Sequence, residues 1–264
     1  MAKRLAILNF LSVIVAIFIG YYTQAIHLNG NTMASLSTEY YNLFTPANYA
    51  FAIWGIIYLL LVVSSVSHLI LVFGKKQEPK FLLQSGYWFL IANIANATWV
   101  IVWLYELTGI SVLVILVLLF SLLKIVQKTG IAFAPKIAPN VKRIHWVTFS
   151  IYSGWVAVAT IANIAAYLVK LGWNGNPLSE AQWTILMITI AYCINIIILF
   201  RRNMIGFVIV GIWSLIAIYM RHKEYEKGIA YTALVEAIIL AAMIVYHRFL
   251  KQKGKLLQEK SPSI

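Results

Sequence analysis

Eight apolar runs follow one another along the chain, each about as long as a bilayer's hydrocarbon core is thick. A helix needs about 20 apolar residues to cross that core. The runs cover roughly 4–24, 47–73, 81–104, 108–127, 144–170, 180–200, 203–220 and 228–249. Overall 62% of the residues are hydrophobic and 11% are charged, whereas soluble domains carry about a quarter charged residues. The expected fold is all-α: a polytopic membrane helix bundle with about eight transmembrane helices.

The net charge of +13 does not point to nucleic acid. The basic residues sit between apolar runs, where they set topology, and no basic patch stands apart from the membrane flanks. With eight spans, 17 of the 21 Lys and Arg fall in the N-terminal segment, every second loop and the tail. The positive-inside rule then puts both termini in the cytoplasm. The expected location is a bacterial cytoplasmic membrane. The first run follows Lys3 and Arg4, as in a signal peptide, but its length favours an uncleaved anchor. Residues 251–264 form a basic tail, expected to be frayed or to lie on anionic headgroups. The single Cys193 excludes a disulfide within the chain. The loop 25–46 holds no Lys or Arg and is rich in Asn, Ser, Thr and Tyr, so it is free to fold over a pocket.

Three runs carry an aromatic face. In "FTPANYAFAIWGIIY", Phe51, Trp54 and Tyr58 fall at i, i+3 and i+7 on one helix face. In "IANIANATWVIVW", Asn96 and Trp99 are neighbours at i, i+3. In "IYSGWVAVATIANIAAYL", Tyr152, Trp155, Ala159 and Asn163 form one stripe. An asparagine facing lipid is costly, so these faces are expected to point inward. Core packing and interface belts are the plainer use of such rings, and Trp88, Trp103, Trp146, Trp173, Trp183 and Trp213 are read that way.

These motifs resemble the tryptophan-rich sensory proteins, the TspO/peripheral benzodiazepine receptor family. The second-helix pattern of that family is roughly F-T-P-P-N-W-x-F-x-x-x-W-x-x-L-Y. Phe44, Thr45, Pro46, Asn48, Phe51, Trp54 and Tyr58 match it, while Ala47 replaces a proline and Tyr49 a tryptophan. Asn96 and Trp99 resemble the third-helix motif. Tyr152, Trp155, Val156, Ala159 and Asn163 resemble the fifth, with Ile151 in place of a proline. The resemblance covers about residues 1–170. It implies a five-helix bundle there, followed by three additional helices over 171–250. It also implies a pocket near the first loop for porphyrin or haem-type tetrapyrroles, sterol-like molecules or drug-like lipophiles. Pro46, Asn48, Phe51, Trp54, Tyr58, Asn96, Trp99, Tyr152, Trp155, Ala159 and Asn163 are its expected ligand-binding residues. Binding or sensing, transport, and slow porphyrin degradation all remain open, as does homodimer formation.

Glu236 lies about eight residues into the last run, where an ionisable group is a functional-site hypothesis by default. It is expected to be protonated or bonded to Tyr231, Tyr192 or Asn195. Its two readings are a proton-coupling group of a small-solute transporter and a neutral acid joining helices. His68 and His145 read as polar boundary residues, and His27 is the histidine best placed for haem iron. No metal-ligand spacing, Ser-His-acid set or phosphate loop occurs, so nucleophilic catalysis is not expected.

Overall fold

A computed structural model of the chain describes residues 1–74, 79–130 and 139–259. The order is α1 (Ala2–Ala25), α2 (Met33–Glu39), α3 (Ile53–Leu69), α4 (Lys80–Ser85), α5 (Trp88–Leu104), α6 (Thr108–Thr129), α7 (Pro139–Lys170), α8 (Glu180–Arg202), α9 (Ile205–His222) and α10 (Lys227–Glu259). A 3₁₀ turn, Asn48–Ala52, leads into α3, and a π turn, Ile70–Gly74, follows it. Among the described residues there is no strand.

Seven helices are long and apolar enough to cross a membrane, and α5 is a shorter apolar helix of 17 residues. The run read as one span over 81–104 is two helices. Gly86, at φ 55, separates α4 from α5, because a left-handed residue cannot continue a right-handed helix. What remains of α5 is about 25 Å long at 1.5 Å per residue, and it packs between α1 and α6. In the basic tail, α10 continues as helix to Glu259. Residues 260–264 lie outside the described residues.

Local chemistry sets the helix ends. Thr32 and Ser35 form a capping box at α2, and Ser179 and Gln182 form one at α8. Asn203, at φ 52, ends α8 and lets α9 begin two residues later.

The apolar core has two clusters. One gathers α1, α3, α5, α6 and α7 around Trp54, Trp99, Tyr152 and Trp155. The other gathers Val158 of α7 with α8, α9, α10 and the loop residues Leu43 and Phe44. Backbone contact joins α7 to α9. A Cβ on Gly154 would lie 3.0 Å from the Phe207 Cα and carbonyl oxygen, and one on Gly206 would lie 2.9 Å from Ser150 Cβ. Small residues permit this approach, as is common where helices pack in lipid.

Candidate functional site: an aromatic cavity beneath the first loop

Trp54 stands at the centre of a ring cluster drawn from three helices. Its ring centroid lies 5.8 Å from Trp99 on α5 and 6.4 Å from Trp155 on α7. The Trp99 pair is stacked and the Trp155 pair meets edge to face, the arrangements that aromatic quadrupoles favour. Phe51, on the turn before α3, presents itself to Trp155 at 6.0 Å. Trp54, Trp99 and Trp155 are 9%, 4% and 2% exposed, so all three indoles turn away from the surface.

A cavity of about 40 Å³ opens between these rings. Of the residues expected at a binding site, Pro46, Phe51, Trp54, Trp99, Trp155, Ala159 and Asn163 line it. Tyr58, Asn96 and Tyr152 do not. They form a buried layer behind Trp54, whose ring meets Tyr58 at 5.6 Å and Tyr152 at 6.2 Å. Asn48 is exposed at the start of the 3₁₀ turn and faces away. Asn163 is committed within the protein: its Oδ1 accepts from Trp99 Nε1 at 2.8 Å, and its Nδ2 donates to Ser111 Oγ at 2.8 Å. It therefore holds the Trp99 ring, and one of its two Nδ2 donors is engaged by Ser111. The indole donors of Trp54 and Trp155 are buried with no partner.

The lid is the loop segment 29–46, which contributes Met33, Ser37, Tyr40, Asn42 and Thr45 to the lining. Glu106, in the α5–α6 turn, latches it. Its carboxylate accepts from Tyr40 Oη at 2.8 Å and from Asn31 Nδ2 at 3.2 Å. Lys170, at the end of α7, donates to the Glu106 carbonyl at 2.5 Å and lies 5.3 Å from the centre of the Tyr40 ring. Burial, reinforced by the Glu106 carboxylate, pushes the Tyr40 phenol up to about 12, so it stays a neutral donor. Sequence reasoning missed Tyr40 and Glu106, whose pairing spans 66 residues. It also read Trp103 as packing, yet Trp103 lines the cavity; the spacing Asn96, Trp99, Trp103 carried that signal.

Helix α9 holds the other wall. Ala47 N donates to Ala217 O at 3.1 Å, a bond that a proline could not make. Trp213 Nε1 donates to Ala50 O at 3.3 Å, and Tyr49 packs on the Trp213 ring at 5.2 Å. His222 Nε2 donates to Leu43 O at 2.9 Å. Ile151 sits against Gly206, within 3.2 Å of where a Cβ there would lie. The three departures from the motif pattern, Ala47, Tyr49 and Ile151, thus all abut α9.

The histidines serve elsewhere. His27 is exposed and outside the lining. His68 and His145 are buried within the protein, with His68 in the last turn of α3; they stack at 4.6 Å, about 20 Å along α3 from Trp54. Glu236 is 8% exposed, and its Oε1 accepts from Thr189 Oγ1 at 2.9 Å. Thr189, rather than Tyr231, Tyr192 or Asn195, is its partner. Glu236 Oε2 has none.

Fold and site together define an integral membrane helix bundle with an aromatic-walled internal cavity. The family model described as TSPO-like protein matches residues 6–246, through α8 and α9 and most of α10. The chain belongs to that family. No curated protein and no solved structure matches it.

Proposed function

We propose that the protein binds a lipophilic ligand of the tetrapyrrole class between Trp54, Trp99 and Trp155, in a binding or sensing role. One observation carries this reading: two indole donors, Trp54 Nε1 and Trp155 Nε1, lie buried without acceptors on residues that line an apolar cavity. An unsatisfied buried donor costs about 1–3 kcal/mol. A ligand carboxylate or carbonyl meeting these donors recovers that cost, while flat rings stack on the indoles. Among the described residues no histidine lines the cavity, and the indoles act on the macrocycle and its carboxylates, so iron-free protoporphyrin is the fitting probe.

Size sets the mechanism. Small-molecule sites usually enclose about 300–1,000 Å³, far above the 40 Å³ between the rings. A macrocycle therefore enters only as the 29–46 lid swings off Glu106 and the rings part. Titrating protoporphyrin into the protein in nanodiscs, read by tryptophan fluorescence, tests the reading. Saturable quenching is expected; quenching that merely follows probe partitioning into lipid contradicts it.

Glu236 favours a second reading, proton-coupled transport of a small solute. A carboxyl oxygen buried mid-helix without a partner is a group able to exchange a proton. Proteoliposome flux that responds to a proton gradient, and loses that response in Glu236→Gln, supports transport. Flux indifferent to the gradient removes it.

A further inference from the structure

The geometry points to a second binding site, for a lipophilic amine, in the cleft between the last turns of α7 and the first turns of α8. This cleft encloses about 600 Å³, inside the range of small-molecule sites. The segment 41–46 is the partition between it and the first cavity. Tyr41 and Phe44 face the cleft, Thr45 and Pro46 face the first cavity, and Asn42 touches both. The two spaces therefore share a wall but present different chemistry, so each can be occupied independently of the other.

The wall of the cleft is prebuilt. Trp183 Nε1 donates to Gly175 O at 2.5 Å, and the Trp173 ring lies 5.5 Å from Trp183. Gly175 sits at φ 78, where a Cβ would also come within 2.9 Å of Leu178 O and 3.3 Å of Trp183 Cδ1. Only glycine allows this loop to close on the indole. Trp173 is nonetheless 45% exposed, so a large aromatic face remains uncovered at the opening.

Charge selects the ligand class. Among the described lining residues, Glu180 is the one charged side chain; there is no Lys, Arg or His. That is a notable choice in a chain of net charge +13. The carboxylates of a tetrapyrrole find no cation here, and Glu180 repels them. An ammonium group finds a carboxylate beside aromatic faces, the combination that binds amines. Arg221 already occupies the Tyr41 ring, 4.7 Å from its centre, so the ammonium belongs at the Glu180–Trp173 end and the apolar body lies toward Phe44.

The test uses a dansyl-labelled alkylamine and its N-acetylated, uncharged analogue, with the full chain in nanodiscs and energy transfer from tryptophan as readout. The amine is expected to bind saturably and about threefold to fivefold more tightly than the analogue, the effect of one exposed ion pair. Glu180→Gln removes that difference at unchanged melting temperature. Thr184→Trp, which fills the cleft, abolishes saturable binding of both probes. Protoporphyrin displaces neither. Equal affinity of amine and analogue for the native protein overturns the proposal, as does an amine preference that survives Glu180→Gln. So do binding that persists in Thr184→Trp and displacement by protoporphyrin, which would put the probe in the first cavity.

Discussion

Arg221 Nη1 donates to the Pro46 carbonyl at 3.1 Å, across 175 residues of sequence. This bond ties the motif that forms the cavity wall to α9, a helix beyond the five-helix bundle that the resemblance implies. Together with Ala47–Ala217, Trp213–Ala50 and His222–Leu43, it makes α9 a scaffold for the first loop. Helix α9 is therefore part of how the site is held.

Arg221→Met tests that role. It removes a charge-assisted bond to Pro46 and the contact with the Tyr41 ring. The expected loss is about 1–2 kcal/mol of stability, toward the low end because Arg221 is half-buried. Thermal unfolding in detergent measures it. Limited proteolysis between residues 40 and 50 should speed up as well.

Tyr40→Phe unlatches the lid while keeping the ring against Trp103, at 6.4 Å. Losing one hydrogen bond to a carboxylate should raise ligand dissociation about tenfold, read by stopped-flow fluorescence. The native latch has a pH signature. The phenol's folded value of about 12 lies above its ordinary 10.0. Its contribution is complete below about pH 10 and is lost as pH rises toward 12. With 15 tyrosines in the chain, the difference between the ultraviolet titrations of the native protein and Tyr40→Phe should show one phenolate appearing near pH 12.

Gly20→Ala probes the layer behind Trp54. A Cβ at Gly20 would lie 2.6 Å from Tyr58 Oη, and the Tyr58 ring supports Trp54 at 5.6 Å. Alanine normally strengthens a helix; here overpacking should cost about 1–3 kcal/mol and shift the tryptophan emission. An unchanged melting temperature and spectrum would mean that Tyr58 does not buttress Trp54.

Much of the fold was legible because lipid imposes it: run length gave the spans, and buried amides turned the aromatic faces inward. The break at Gly86 was not legible, since a single glycine in an apolar run reads as tolerated. Stripe periodicity brought Trp54, Trp99 and Trp155 together correctly. It placed Tyr58, Asn96 and Tyr152 one layer too near the cavity, because spacing fixes a face and not a depth. The latch at Glu106 and the tether at Arg221 link segments far apart in sequence, and nothing local announces them. Asn163 was read as a ligand residue; it lines the cavity, and its hydrogen bond to Trp99, 64 residues away, is a contact that no local pattern announces.

The most direct measurement compares protoporphyrin titrations of the native protein and Trp155→Phe in nanodiscs. Trp155 Nε1 has no partner within the protein, so Trp155→Phe breaks no hydrogen bond; the smaller ring costs about 1–2 kcal/mol of packing, and the ligand loses a donor. The account predicts about threefold to tenfold weaker binding in a variant that remains folded, with a modest fall in melting temperature. Coincident isotherms would contradict it, since the unpartnered indole would then take no part in holding the ligand.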